Sequence, residues 1–255
     1  MKTSPASVYR VWRRDFLQFK KSIWVNLTWI VLEPLFFLVA LGYGLGSYVT
    51  NIGGVPYSEF YFPALLCNTA MMVSFFESTY GSFSKLTYQR TYLTMILTPI
   101  EPTEIVYGEI LWGATKGFLS AVGVAIVASL FGHVNSFMII PGLVIIFILA
   151  LLFSALGMIF TSIVKNYDGI IYPSSGLIVP MSLFSGTYFP IEQLPHPIKY
   201  LSYLLPLTHG VAAVRALLLN LPKDPIFAIH ILVLIGLAIW ATRVAVRRIN
   251  KKLIQ

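Results

Sequence analysis

Residues 137–164 read FMIIPGLVIIFILALLFSALGMIFTSIV, an apolar run that contains no charged side chain. A helix needs about 20 consecutive apolar residues to cross the hydrocarbon core of a bilayer, and this run exceeds that length. The run is continuous rather than alternating, which favours a membrane-spanning helix over a strand of a transmembrane barrel. It therefore predicts that this part of the chain lies in lipid.

Five further stretches of similar apolar character lie on either side of this run. Hydrophobic residues make up 57% of the chain and charged residues only 11%, so a soluble fold would have too little polar surface to cover itself. Backbone polar groups must be paired internally in lipid, which predicts helices. We therefore predict an all-α, polytopic membrane protein with a six-helix transmembrane domain over residues 25–246. The predicted spans are Val25–Ser47, Phe60–Tyr80, Ile105–Phe131, Phe137–Val164, Gly169–Phe189 and Pro225–Val246.

The charge distribution predicts the orientation of the chain. The net charge is +8, and most of the 18 basic residues fall on one side of the predicted membrane. Because cytoplasmic flanks are enriched in Lys and Arg, both termini and the basic tail 247–255 are expected in the cytoplasm. These basic residues form no contiguous face, so nucleic-acid binding is not expected. They are Lys2, Arg10, Arg13, Arg14, Lys20, Lys21, Lys85, Arg90, Lys165, Arg243, Arg247, Arg248, Lys251 and Lys252; the opposite side holds Lys199, Arg215 and Lys223.

Residues 1–24 precede the first predicted span and combine apolar with basic side chains. The apolar ones recur at helical spacing, at Val8, Trp12, Phe16, Phe19 and Ile23. Basic residues project from the other side. This pattern is typical of a helix that lies in the membrane interface with its apolar face toward lipid. The alternative is a cytoplasmic flank that only follows the charge rule.

The sequence carries no recognisable catalytic or cofactor-binding motif. The glycines at Gly42, Gly44 and Gly46 are not followed by the Lys-Ser/Thr pair of a phosphate-binding loop. Cys67 is the single cysteine, and the histidines lack metal-ligand spacing. We therefore expect no catalytic residue, no metal and no cofactor on this chain. The histidines are His133, His196, His209 and His230.

Ionisable residues within spans are expensive and often functional, and four candidates are present here. They are Glu33, Glu77, Glu109 and Lys116. Glu109 and Lys116 are two helical turns apart, so they share a face without touching. The alternative to a functional role is that Glu77 and Glu109 lie near hydrated cytoplasmic ends. No regular ladder of acids appears, which weakens a proton-driven carrier.

Two segments between spans are more than simple loops. The first, on the cytoplasmic side, has helix-forming content from Phe83 to Leu97 and is stopped by Pro99 and Pro102. A mixed apolar and polar helix there suits docking into another protein's groove, or packing on its own bundle. The second, Gly186–Leu219, is apolar but interrupted by prolines, which predicts short re-entrant helices on the outer side within about 191–219.

These features together resemble the membrane subunit of the type-2 ABC exporter family, and its nodulation protein J branch most closely. The resemblance covers nearly the whole chain. Many relatives carry Asn before the proline at position 206, whereas this chain has Leu205. The matching pieces, in order, are Trp12–Arg14, Glu33–Leu35, Leu41–Gly46, Phe76–Tyr80, Gln89–Thr91, Gly108–Trp112, Tyr188–Pro190, Leu205–His209 and Arg215.

The resemblance implies a division of labour between subunits. Two copies of this chain would pair, and a separate cytoplasmic ABC ATPase in two copies would carry the ATP and Mg. The 83–99 segment would be the coupling helix that contacts this ATPase. The resemblance also implies export of a glycolipid, a lipid-linked glycan or an acylated glycan, with drug efflux as an alternative. The expected contacts are Gln89, Arg90, Leu93, Met95, Ile96 and Pro99.

A channel or secondary transporter that needs no ATPase is the alternative from another class. Spans one and five, rich in Gly and Pro, are the predicted interface between the two copies. No acidic cluster indicates a cationic drug, and no basic pocket indicates a phosphate-bearing lipid. Aromatic side chains near the outer end either line the substrate path or form an interfacial belt. Candidates for the path or gate are Glu77, Tyr80, Tyr172, Phe184, Tyr188, Phe189, Tyr203 and His209; Glu33, Glu109 and Lys116 are expected to be structural.

Overall fold

The computed structural model describes residues 3–28, 32–49, 51–130, 132, 137–222 and 225–254. Lys2, His133 and Lys223, which enter the sequence analysis, lie outside the described residues. The described chain is almost entirely helical. Its α-helices are α1 (Pro5–Lys21), α2 (Ile23–Leu27), α3 (Glu33–Phe37), α4 (Tyr57–Phe76), α5 (Thr91–Ile96), α6 (Pro102–Leu130), α7 (Ile139–Ile163), α8 (Asp168–Pro173), α9 (Val179–Phe184), α10 (His196–Ser202), α11 (Pro206–Leu218) and α12 (Pro225–Ile254).

Three helices of the described chain, α6, α7 and α12, are each long and apolar enough to cross a membrane. They correspond to the third, fourth and sixth predicted spans. α10 and α11 meet at 81°, the geometry of either a broken span or a re-entrant loop. The helices therefore indicate an integral membrane protein. Among the described residues it has fewer uninterrupted spans than the six that we predicted.

The other predicted spans are interrupted by π-helical turns. Leu38–Gly44 continues α3, Glu77–Gly81 continues α4, and Ser174–Ile178 lies between α8 and α9. Pro173 ends α8, and Pro180 opens α9. Proline removes a backbone donor and clashes with the preceding turn, so the helical hydrogen-bond ladder is broken there. Apolar length alone does not reveal these interruptions.

A short β-hairpin corrects the all-α prediction to nearly all-α. β1 (Asn51–Ile52) pairs antiparallel with β2 (Val55–Pro56) just before α4. The two turn residues, Gly53 and Gly54, have φ values of 61° and 87°. A two-residue hairpin turn of this hand needs positive φ at both positions, which glycine adopts without strain.

The centre of the bundle is formed by α4, α6 and α7, which contact one another along their length. Small hydroxyl side chains fill the closest approaches. Ser78 Oγ lies 2.7 Å from Ser154 Oγ, Ser154 Oγ donates to Ile110 O at 2.8 Å, and Thr161 Oγ1 donates to Ser78 O at 2.7 Å. Small residues let helix backbones approach closely, and interhelical hydrogen bonds then join them.

The carboxyl-terminal residues are not a separate tail. α12 continues to Ile254, past the predicted end of the span at Val246. Ile249 is buried, and Asn250 Nδ2 donates to Thr103 Oγ1 at the start of α6, at 2.7 Å. The boundary predicted at residue 247 therefore falls inside a helix, because a helix that packs on the bundle does not end where its apolar run ends.

Candidate functional site

α1 lies against α6, and much of the apolar face predicted for lipid packs on α6 instead. Trp12 Nε1 donates to Thr115 Oγ1 at 3.0 Å, and the rings of Phe19 and Trp112 meet edge to face. Several aromatic side chains that we expected to face lipid are thus used for packing on α6. The buried side chains of α1 are spaced four apart on one face and are those of Ser7, Val11, Asp15 and Phe19.

Charged side chains meet where α1, α6 and the π-helical turn Ser84–Tyr88 come together. We call Arg14, Asp15, Lys85 and Glu109 the charge cluster. Arg14 Nη2 lies 2.7 Å from Asp15 Oδ1 and 2.7 Å from Glu109 Oε1. Lys85 Nζ lies 3.0 Å from Asp15 Oδ1 and 2.8 Å from Glu109 Oε2. The two cations and two carboxylates balance, so the cluster adds no net charge to the interior.

Burial shapes the protonation of this cluster. Burial raises the pKa of the Asp15 carboxyl to about 6, and repulsion from Glu109 adds to the rise, against the attraction of Lys85 and Arg14. Burial alone would lower the pKa of the Lys85 ammonium, but Glu109, Asp15 and Glu77 together raise it above its ordinary value. Asp15 Oδ2 has no hydrogen-bond partner among the described residues. The unpartnered Oδ2 is a position at which Asp15 can take up a proton.

A second ion pair extends the cluster along α6. Lys116 Nζ lies 2.7 Å from Glu77 Oε2, and Trp112 Nε1 donates to Glu77 Oε1 at 2.9 Å. Lys85 Nζ is 4.0 Å from Glu77 Oε1 and links the two groups. Glu109 and Lys116, predicted to share a face without touching, each bind a different partner. The partners of Glu109, Arg14 and Lys85, and the second carboxylate of the cluster, Asp15, were not selected from the sequence, because they lie in flanks that read as solvated.

The 83–99 segment is joined to this cluster and is not one helix. Arg90 adopts a left-handed conformation with φ of 52°, so the right-handed helical path is interrupted between the turn Ser84–Tyr88 and α5. Tyr92 is fully buried, and Arg14 Nη1 donates to Met95 Sδ at 3.2 Å. The predicted continuous helix from Phe83 to Leu97 is therefore wrong.

The predicted contact residues of this segment divide into two sets. Met95 and Ile96 pack against the bundle core, so their side chains do not face outward. Leu93 is 45% exposed, and Gln89, Arg90 and Pro99 are also exposed. Leu97 is 88% exposed and was missed, because the sequence does not show which side of α5 meets the bundle. The outward face of the segment thus carries Gln89, Arg90, Leu93, Leu97 and Pro99.

A polar cavity of about 360 Å³ lies between α1 and the 83–99 segment. Asp15 and Lys85 of the charge cluster line it, together with Glu77 and Lys116. Gln89 lies at the wall formed by the 83–99 segment. The buried charges are therefore reached by an opening beside the exposed part of that segment.

A second cavity, of about 540 Å³, lies between α3, α4 and α9. Its wall is mainly apolar, and Glu77 and Lys116 contribute charged groups. Asn68 also lines it, and its buried Oδ1 has no partner among the described residues. Asn68 carries no charge, so it was not among the polar residues that the sequence singled out within the spans. Of the predicted path residues the cavity brings together Glu77, Tyr80 and Tyr188, and the predicted structural residues Glu33 and Lys116 join them.

The remaining predicted path residues lie elsewhere. Tyr172 is 80% exposed and Tyr203 is 42% exposed. Phe184 and Phe189 are partly buried and do not line the cavity. His209 Nδ1 lies 2.8 Å from His230 Nδ1, which joins α11 to α12. The structure therefore separates these five residues from the cavity.

Arg215, which the family resemblance singled out, holds the segment 186–219 to α4. Its Nη2 donates to Gly186 O at 2.7 Å and its Nε donates to Phe60 O at 3.2 Å. The guanidinium lies 3.8 Å above the centre of the Phe60 ring, a cation–π contact. Nearby, Tyr57 donates its hydroxyl to Tyr188 O at 2.9 Å. These bonds position Tyr188 at the cavity.

Comparison with known proteins identifies relatives along almost the whole chain. The sequence profile of the ABC-2 type transporter family matches residues 6–219. Nodulation protein J of Rhizobium leguminosarum bv. viciae is 34% identical over 212 residues, which cover 83% of this chain and 82% of the relative. Nodulation protein J of Sinorhizobium fredii is 30% identical over 251 residues, 98% of this chain and 95% of the relative. The inner membrane transport permease YadH of Escherichia coli is 22% identical over 219 residues, 85% and 84% of the two chains.

Proposed function

The chain belongs to the ABC-2 type transporter family, and from that premise we propose that it is the membrane subunit of an ATP-driven exporter of an amphiphilic glycan. Family membership makes it a membrane transport component that works with an ABC ATPase. The proposed complex holds two copies of this chain and two of the ATPase, which binds the ATP and Mg. It lies in the cytoplasmic membrane, with both termini in the cytoplasm.

The observation that supports this proposal is the attachment of the 83–99 segment to the buried charges. Its exposed side presents Leu93 and Leu97 beside Arg90, an apolar and basic face that suits a groove on the ATPase. Its inner side is held by Tyr92 and by the bond from Arg14 to Met95. A movement of α5 caused by the ATPase is transmitted through these contacts to α1 and α6. A channel needs no such docking element.

The cavity of about 540 Å³ is the proposed entrance of the substrate path. Its apolar wall suits an acyl or prenyl chain. The Glu77–Lys116 pair and the unpartnered Asn68 Oδ1 offer hydrogen bonds to sugar hydroxyls. A glycolipid, a lipid-linked glycan or an acylated glycan combines both kinds of group. In the assembled exporter the second copy, packed along spans one and five, closes the open side of this path.

The proposal is tested on the complex isolated from its native membrane with its ATPase. Co-purifying lipids are identified by mass spectrometry, and each is assayed for stimulation of ATP hydrolysis. We expect stimulation by a glycan-bearing lipid and its loss in Tyr188→Ala, which alters the cavity. The matched control is Tyr172→Ala, because Tyr172 is exposed and does not line the cavity.

Two outcomes would count against the proposal at different levels. Stimulation by small cationic drugs, with no response to any glycan-bearing lipid, would replace the substrate and leave ATP-driven export standing. Transport by the purified chain in vesicles without ATPase and ATP would favour a channel or secondary transporter and overturn the exporter itself.

A further inference from the structure

A third cavity, of about 510 Å³, opens between the end of α7, the last turns of α12 and the turn Ser84–Tyr88. No acidic side chain of the described residues lines it. Phe83, Ile163 and Val164 form an apolar part of its wall. Its basic residues are Lys165, Arg248, Lys251 and Lys252. This is a basic pocket, which the sequence analysis did not find.

The pocket is built from two distant parts of the chain. Arg248, Lys251 and Lys252 are spaced three and four apart along α12, so they project from one face. Lys165 follows the end of α7. Read separately, each group is an ordinary basic flank of a membrane span. Only the packing of α12 along α7 brings the charges around one space.

One of the four basic residues has a structural role. Lys252 Nζ donates to Thr161 O and Val164 O, at 3.3 and 3.4 Å, and so pairs carbonyl groups at the end of α7. Lys165, Arg248 and Lys251 form no ion pair with any described residue. Like charges gathered without a counter-charge repel one another, so an anion placed in the cavity would be held favourably.

We propose that this cavity binds the phosphate headgroup of an anionic phospholipid from the adjacent membrane leaflet. A phosphodiester offers acceptor oxygens to the guanidinium of Arg248 and to the lysine ammonium groups. The apolar wall then contacts the glycerol and the first acyl carbons. Ile163, half exposed at the mouth, continues into the apolar surface of α7. That continuity favours a lipid over a phosphate ester free in solution.

The site goes beyond the proposed transport function and does not depend on it. Phe83 and Thr87 flank Lys85 on the same turn, so a bound headgroup touches the element that carries part of the charge cluster. The occupant would therefore also steady the start of the 83–99 segment.

The test uses the full chain in detergent and native mass spectrometry with phosphatidylglycerol and phosphatidylcholine as probes. The double variant Arg248→Gln/Lys251→Gln removes two cavity charges. The control Arg243→Gln/Arg247→Gln removes two exposed charges from the same helix outside the cavity. We expect the cavity variant to bind phosphatidylglycerol roughly tenfold more weakly than the control does. The charge-conserving variant Arg248→Lys/Lys251→Arg should retain binding, which shows that the fold is intact.

Three results would overturn the proposal. Equal losses in the cavity and control variants would mean that only general surface charge attracts the lipid. Displacement of phosphatidylglycerol by glycerol 3-phosphate at equal concentration would assign the site to a soluble phosphate ester. Unchanged binding of phosphatidylglycerol in the cavity variant would mean that these basic residues do not hold the headgroup.

Discussion

Lys85 and Glu109 form an ion pair of 2.8 Å that joins the turn Ser84–Tyr88 to α6. Both side chains are almost fully removed from solvent. Removing a charge from water costs several kcal/mol, and only close opposite charges and hydrogen bonds repay that cost. A single substitution in this pair should therefore have a large and measurable effect on the stability of the protein.

Glu109→Gln should destabilise the protein by about 3–5 kcal/mol, because it removes the closest carboxylate from the buried Lys85 and one of the two carboxylates that pair with the partly buried Arg14. Thermal unfolding in detergent measures the effect. Glu59→Gln, at an exposed carboxylate, serves as the control. The double variant Lys85→Met/Glu109→Leu should be less destabilised than Glu109→Gln, since no unpaired charge remains from the pair. Equal stability of Glu109→Gln and the wild type would show that the buried charges contribute nothing.

Asp15 should make stability depend on pH. Its pKa is about 6 in the folded protein, against about 4 in an unfolded chain. Between roughly pH 4 and 6 the folded protein binds a proton that the unfolded chain has released. The free energy of unfolding therefore falls as the pH rises through this window, and Asp15 adds no further slope above it. Asp15→Asn should reduce the slope, whereas Asp168→Asn, at an exposed carboxylate, should not. A slope unchanged in Asp15→Asn would assign the pH dependence to another group.

Gly157→Ala should destabilise the α4–α7 contact. An added Cβ would lie 2.7 Å from Ser78 Cβ and 2.9 Å from Phe75 O, and a backbone oxygen cannot move aside cheaply. We expect a loss of about 1–3 kcal/mol, the usual cost of overpacking. In α12, Gly236→Ala meets nothing within 4 Å and is the matched control. Its alanine should be neutral or slightly stabilising because of helix propensity. Similar melting temperatures for both variants would contradict this packing.

Arg90→Glu should weaken the proposed docking of the ATPase without unfolding the subunit. Arg90 is exposed, and an arginine at such a contact can bind a carboxylate with two parallel hydrogen bonds. Co-purification with the ATPase and substrate-stimulated ATP hydrolysis should both fall. Lys199→Glu, the same reversal at a partly exposed lysine on the side predicted to face outward, is the control. The docking proposal fails if the two variants lose the ATPase to the same degree.

Leu97→Asp tests the residue that the sequence analysis did not select. Leu97 is 88% exposed, whereas Met95 packs inward. A carboxylate at Leu97 should abolish ATPase binding and leave the melting temperature unchanged. Met95→Lys should instead lower the melting temperature, because it places a second cation next to Arg14. If only Met95→Lys affected ATPase binding, the outward face of α5 would be assigned wrongly.

Several features were readable from local sequence. Apolar runs such as 137–164 predicted the long apolar helices α6, α7 and α12. The pattern of apolar and basic residues in 8–23 predicted a helix there, and the absence of a phosphate-binding loop led us to expect ATP hydrolysis on another subunit. The ordered motifs from Trp12 to Arg215 were enough to indicate the family. Each of these signals is contained in a short window of residues.

The tertiary structure determined which residues meet. Arg14 and Glu109 are 95 residues apart in sequence, and the residues around either one do not indicate that it pairs with the other. The same is true of Lys165 and Arg248, which line one cavity, and of Met95, whose side chain packs against the core. Hydropathy and charge depend on a residue itself, and a short window of them fixes which segments enter lipid. Which buried charges meet depends on how helices cross and rotate against one another, and that is settled only when the whole bundle has packed.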